Sequence, residues 1–128
     1  MAGSDYMPLW LPGHELTCTA AAAITAGQLV YVSGNTGYVP SVTPTTAATT
    51  AKCGVAAQTV PSGASVDVYF NGVHLLAASG AITAGDPVVA AAAGAVADVG
   101  TPTATLDAEI VGNALTAAAS GFVVVMLD

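Results

Sequence analysis

The feature that most constrains this fold is a motif that returns with its punctuation intact. Ile24-Thr25-Ala26-Gly27 recurs 58 residues on (24 to 82) as Ile82-Thr83-Ala84-Gly85. At the same offset Thr43-Pro44-Thr45 falls on Thr101-Pro102-Thr103, Gly54-x-Ala56 on Gly112-x-Ala114, and Ser62-Gly63 with Val66 on Ser120-Gly121 with Val124. Agreement of Ala with Ala means little in so Ala-rich a chain. Gly, Pro and Ser-Gly fix where a backbone turns, so matched turns predict matched topology. Taken without gaps, residues 13–70 lie on 71–128, and residues 1–12 form an arm outside the duplicated body.

By length the 128 residues make one domain, large enough to bury most of what the unfolded chain exposes. Hydrophobic residues are 54% of the chain but aromatics only 5%, so the core is built of Val, Leu, Ile and Ala rather than large rings. Small side chains bury little area apiece. At roughly 25 cal/mol per Å², such a core gains from being extended into a subunit interface, which favours an oligomer.

Charge excludes whole classes of partner. One basic residue, Lys52, stands against eight acids, for a net charge of −7. A surface of that kind cannot neutralise a phosphate backbone, which argues against nucleic acid. The longest apolar stretches, such as Val88 to Ala97, are short, mostly Ala, and ended by Asp98, so no membrane-spanning helix is expected. The N-terminus lacks a basic n-region, carries Asp5 early and is broken by Pro8 and Pro12, unlike a secretory signal. Cys18 and Cys53 do not occupy matching positions in the repeat and are expected to be free, buried thiols of a reducing compartment.

The local pattern is strands and turns. Gln28–Val32, Val66–Phe70 and Phe122–Leu127 are short, β-branched or aromatic, and follow Gly-bearing turns. Ser33-Gly34-Asn35-Thr36-Gly37 reads as a hairpin turn between Leu29–Val32 and Tyr38–Val42, since Asn and Gly accept positive φ. In the second half Ala93-Gly94 stands there, with a one-residue slip. The Thr/Ala stretch from Thr43 to Ala51 is low-complexity and reads as a surface loop or edge excursion. The runs Ala20–Ala23 and Ala90–Ala93 are too short to nucleate a helix, and one helical turn is the most they allow. The expectation is an all-β domain of two similar halves, closed as a barrel, a sandwich or a β-clip-like ribbon, with an extended N-terminal arm.

A search for chemistry returns little. His14 and His74 are not equivalent in the repeat and neither sits at ligand spacing from a Cys or a carboxylate cluster, so no metal site is expected. Asp107 and Glu109 would share one face of a strand and read as a solvated acidic face. Ser62-Gly63 and Ser120-Gly121 lack the G-x-S-x-G frame of a nucleophile elbow, and Lys52-Cys53-Gly54 lacks that of a phosphate loop. No catalytic residue, cofactor or small-molecule substrate is implied. In the arm, Tyr6, Met7, Leu9, Trp10 and Leu11 gather an apolar cluster between prolines that favour extended chain, and Trp and Tyr are frequent interface anchors. Those five residues are the candidate contact with another chain, capsid or sister subunit; the alternative is that the arm covers the edge or bottom of its own barrel.

The succession of Gly54-Val55-Ala56, Ser62-Gly63 with Val66-x-Val68, Asn71-Gly72-Val73, Ala81-Ile82-Thr83-Ala84-Gly85-Asp86-Pro87-Val88, Gly112-x-Ala114 and a closing Val/Leu strand resembles the capsid decoration (cement) proteins of tailed bacteriophages. The likeness covers residues 13 to 128. Where members often carry an aromatic soon after Gly-Asp-Pro-Val, this chain has Val89-Ala90. The resemblance implies a small β-rich virion protein, commonly a homotrimer, made in the host cytoplasm. It implies a place on the outer surface of the head, bridging major capsid protein subunits. The alternative reading is a cellular β-rich binding or surface-assembly module of carbohydrate-binding or surface-layer type. Its weakness is that Tyr31, Tyr38 and Tyr69 are too dispersed to mark a sugar platform.

Overall fold

The computed structural model describes residues 15–99 and 107–127. The arm residues Tyr6, Met7, Leu9, Trp10 and Leu11, together with His14 and Thr101-Pro102-Thr103, lie outside the described residues. The fold is all-β. Its elements are β1 (Glu15–Ala20), β2 (Leu29–Thr36), β3 (Val39–Pro44), β4 (Cys53–Ala56), β5 (Ser65–Tyr69), β6 (Gly72–Ala77), β7 (Pro87–Ala90), a 3-10 turn at Ala92–Gly94, β8 (Val96–Asp98), β9 (Ile110–Ala114) and β10 (Phe122–Leu127).

Strands β1–β5 close into a barrel in the order β1-β3-β2-β4-β5, with β5 antiparallel to β1 and β1 parallel to β3. Strands β6–β10 form a second sheet in the order β6-β10-β9-β7-β8, and one parallel bridge, Ala78 to Val96, stands where β1 meets β3 in the barrel. Strand for strand the pairing order is the same. Turn hydrogen bonds also recur at the offset of 58. Gly27 N donates to Ala56 O at 2.9 Å and Gly85 N to Ala114 O at 2.7 Å; Gln28 N donates to Thr25 O, and Asp86 N to Thr83 O, both at 3.1 Å. Gly27 and Gly85 have φ of 89° and 93°, a left-handed backbone that L side chains resist.

Two cores result. The barrel interior holds Cys18, Ala20, Ile24, Val30, Val42, Ala56, Val66, Val68 and Phe70. The second core takes Leu76, Ile82, Val88, Val96, Val123, Val125 and Leu127 from β6–β10 and their turns, and adds Leu29, Cys53 and Val55 from β2 and β4. Alternation along β2 explains this: Val30 faces into the barrel while Leu29 and Tyr31 face out, onto the second sheet. All four residues of β4 are consequently buried. Their small size permits it. A Cβ at Gly54 would lie 2.6 Å from Val68 Cγ1 and 2.7 Å from Tyr69 O, and one at Gly112 would overlap the carbonyl oxygen of Met126. The recurrent Gly-x-Ala therefore marks two strands that approach a neighbour too closely for any side chain.

Three sequence expectations need correction. The hairpin turn is tighter than Ser33–Gly37: β2 runs on to Thr36, because a bulge between Val32 and Gly34 absorbs Ser33, and the chain reverses at Gly37, φ 61°. The stretch from Thr43 is not wholly a surface loop. Thr45 is fully buried, its Oγ1 donating to Ala91 O at 2.8 Å while its carbonyl accepts from Gly94 N at 3.1 Å, so it fastens the barrel to the 3-10 turn of the second half. Val66 is not matched by Val124, since Val66 faces the barrel core and the inward residues of β10 are Val123 and Val125. The slip arises at the turn before β10, where Ser120 and Gly121 have φ of 53° and 80° in a two-residue reversal; the turn before β5 bends at Gly63, φ 91°, instead.

Candidate interaction surfaces

No catalytic constellation assembles among the described residues. His74 rests with Nε2 2.9 Å from Asn71 O, its ring stacked on Tyr69 at 5.9 Å. Asp107 and Glu109 do not share a strand face: β9 begins at Ile110, Glu109 stands in the turn before it and Asp107 is helical. No group of three or more His, Cys, Asp and Glu is arranged to hold a metal among the described residues, and none of their helices is long and apolar enough to cross a membrane. Cys18 and Cys53 are free and lie in different cores. Burial pushes both thiols up to about 11, the charge of Asp67 adding to the rise at Cys18 and that of Lys52 opposing it at Cys53. A thiol so protonated is a poor nucleophile.

Two surface depressions stand out among the described residues, and both are small. One, of about 150 Å³, lies between Thr49–Cys53 and Ala108–Val111; the other, of about 210 Å³, is lined by Gln28, Leu75, Ala77, Gly94 and Phe122 among others. Small-molecule sites generally begin near 300 Å³.

The informative geometry is the contrast between two equivalent sheet faces. On the barrel, the outward residues of β1 are Glu15, Thr17 and Thr19, and those of β5 are Ser65, Asp67 and Tyr69. They pair as Glu15 with Tyr69, Thr17 with Asp67 and Thr19 with Ser65. Asp67 accepts from Gln58 Nε2 at 3.0 Å and Thr17 Oγ1 at 2.7 Å, and these bonds, that from Gln58 foremost, hold its carboxyl below the usual carboxylate range. On the second sheet the corresponding pairs are Val73 with Met126, Leu75 with Val124 and Ala77 with Phe122. Leu75 is 63% exposed, and Val73, Phe122 and Met126 are about half exposed. Strand alternation should make such positions polar. The apolar face went unremarked in the sequence, although its signal is there: Phe122–Leu127 is apolar at every position, where Val66-Asp67-Val68 alternates.

What the fold and these surfaces define is a small β protein offering contact area. The chain belongs to the phage cement proteins, whose family model matches residues 10–127. Its role is accordingly structural, in decorating the phage capsid. The fold is similar to that of the head fiber gp8.5 N base of bacteriophage phi29, with a TM-score of 0.68 over 89% of this chain and 92% of that one, at 20% identity. No curated protein matches the sequence. The matched span begins at Trp10, so Trp10 and Leu11 fall within it, while Tyr6, Met7 and Leu9 precede it.

Proposed function

We propose that the protein binds the outer surface of a tailed-phage head as a homotrimer, bridges neighbouring major capsid protein subunits, and acts by attachment without turnover. Membership of the cement family over residues 10–127 is the observation that carries this reading. An acidic surface with little assembled chemistry suits it, because net charge keeps a contact protein soluble before it docks. Several copies engaging one shell gain by effective concentration, so each contact can be modest. The two halves, with their common strand order, are read as copies of one unit, 13–70 and 71–128, and residues 1–12 as the added arm that reaches the shell. Within the arm Tyr6, Met7, Leu9, Trp10 and Leu11 are the contact residues, with Trp10 as anchor.

The test is addition of purified protein to heads stripped of decoration, with occupancy measured by electron cryomicroscopy. Full-length chain should fill a regular set of outer sites. Deleting residues 1–12, or Trp10→Ala, should leave circular dichroism unchanged and weaken attachment about thirtyfold per site, the effect of an anchor contributing about 2 kcal/mol. Undiminished binding of the truncated chain removes the arm from the contact; a full-length chain that does not bind heads refutes the whole reading.

A further inference from the structure

The exposed face of β6 and β10 needs an occupant. It presents Val73, Leu75, Ala77, Phe122, Val124 and Met126 as three directly opposed pairs, without an ionisable or hydrogen-bonding side chain among them. The fold itself does not require this. At the equivalent place on the barrel, the same strand pairing is built with Glu15, Thr17, Thr19, Ser65, Asp67 and Tyr69. From these observations we infer that the β6–β10 face is where a second copy of this chain docks. The inference deepens the oligomer named above and rests on that part of the reading.

Charge selects the occupant. Each copy carries −7 with one basic residue, so contacts through most of its surface bring carboxylates together. Through their β6–β10 faces the copies meet about a common axis with no carboxylate on any of them. The side chains of Val73, Leu75, Phe122 and Met126 offer an apolar area on the order of 300–400 Å², the size of the largest and often functional patch on a monomer, and about half of one partner's share in a standard interface of roughly 800 Å² a side. The centre of a homo-oligomeric contact is apolar in the same way. The face also has relief, because Leu75, Ala77 and Phe122 border the depression of about 210 Å³, which gives room for a side chain from the facing copy.

The barrel supplies the variant that tests this. Replacing Leu75→Thr together with Val124→Asp installs on β6–β10 the pair that Thr17 and Asp67 form on β1–β5, at 2.7 Å. Sedimentation velocity on the full chain should show an oligomer for wild type. The double variant should be folded by circular dichroism, with association weakened at least about thirtyfold. Phe122→Ser, which imitates Ser65 on a partly exposed site, should act in the same direction and serves if the double variant misfolds. Tyr38→Ser, on the 87% exposed hairpin residue, should leave the mass unchanged. A monomeric wild type overturns both this inference and the oligomer of the reading, but not shell binding. A wild-type oligomer unaffected by either face variant overturns the face alone. Unchanged mass with lost head binding makes the capsid the occupant, and unchanged mass with a shifted emission of Trp10 makes it the arm; either result overturns the inference.

Discussion

Gly112→Ala should be among the most damaging single-methyl changes in this protein. The added Cβ would overlap the carbonyl oxygen of Met126 and lie 3.0 Å from Leu127 Cα, so the obstacle is backbone and no side-chain rotation relieves it. Either β9 or β10 must shift, across the ladder that pairs Ala114 with Val125, Asn113 with Met126 and Gly112 with Leu127. Overpacking of this kind costs about 1–3 kcal/mol, and each ladder hydrogen bond weakened costs about 1 kcal/mol more. A total near 3 kcal/mol is expected, which for a domain of this size lowers Tm by about 10 °C. Gly34→Ala is the control, because its Cβ would meet nothing within 4 Å and its φ is not positive; its effect should stay within about 0.5 kcal/mol. Thermal unfolding followed by circular dichroism at one fixed protein concentration makes the comparison, since association would otherwise shift Tm by mass action. If Gly112→Ala melts with wild type, the close approach of β9 to β10 is not real and the account of the recurrent Gly-x-Ala fails.

Thr45→Val keeps the shape of a fully buried side chain but removes the donor to Ala91 O, leaving that carbonyl short of a partner; a loss of about 1–3 kcal/mol in urea unfolding is expected. An unchanged midpoint would mean that Thr45 does not fasten the two halves. Asp86 shares a hydrogen bond with Asp98, which raises its carboxyl above the usual 3.8. Its folded value thus exceeds its unfolded one, and its contribution to stability is present below 3.8 and lost as pH rises through the folded value. Asp86→Asn should therefore raise Tm at neutral pH relative to wild type, and the gain should vanish in acid. A gain independent of pH would exclude repulsion between the two carboxylates.

Turns were more legible in this sequence than surfaces. Glycines at 27, 54, 85 and 112 are dictated by backbone conformation or close approach, and such demands leave one residue type, so their spacing reveals the strand order they serve. The short strands β4, β7 and β8 were less visible, because residues such as Cys53-Gly54-Val55-Ala56 and Val96-Ala97-Asp98 carry weak β preference and owe their extended form to neighbours far along the chain. Thr45 was hidden for a related reason. A Thr amid Thr and Ala looks like loop, and only tertiary placement beside the 3-10 turn makes it a buried clasp. The arm's cluster and the β6–β10 face illustrate the remaining difficulty: composition identifies apolar residues, but which of them are left over once the core is full is a property of the fold.

The light core follows from the same arrangement. Strands β2 and β4 serve two interiors at once, with Val30 and Ala56 on one side and Leu29, Cys53 and Val55 on the other. A strand packed on both faces must be small where neighbours approach most closely, hence Gly54 and Ala56, and each side chain β4 does carry is buried. The second sheet thus gets its inner packing partly from the barrel's wall and not from additional large residues of its own. Its outward face on β6 and β10 is then unneeded for the fold, as the polar pairs of β1 and β5 demonstrate on the equivalent strands. Apolar residues kept there, at positions where water would favour Thr or Asp, are best explained by contact made after folding. In a structural protein of the phage capsid, that gives the β6–β10 sheet an adhesive surface of its own.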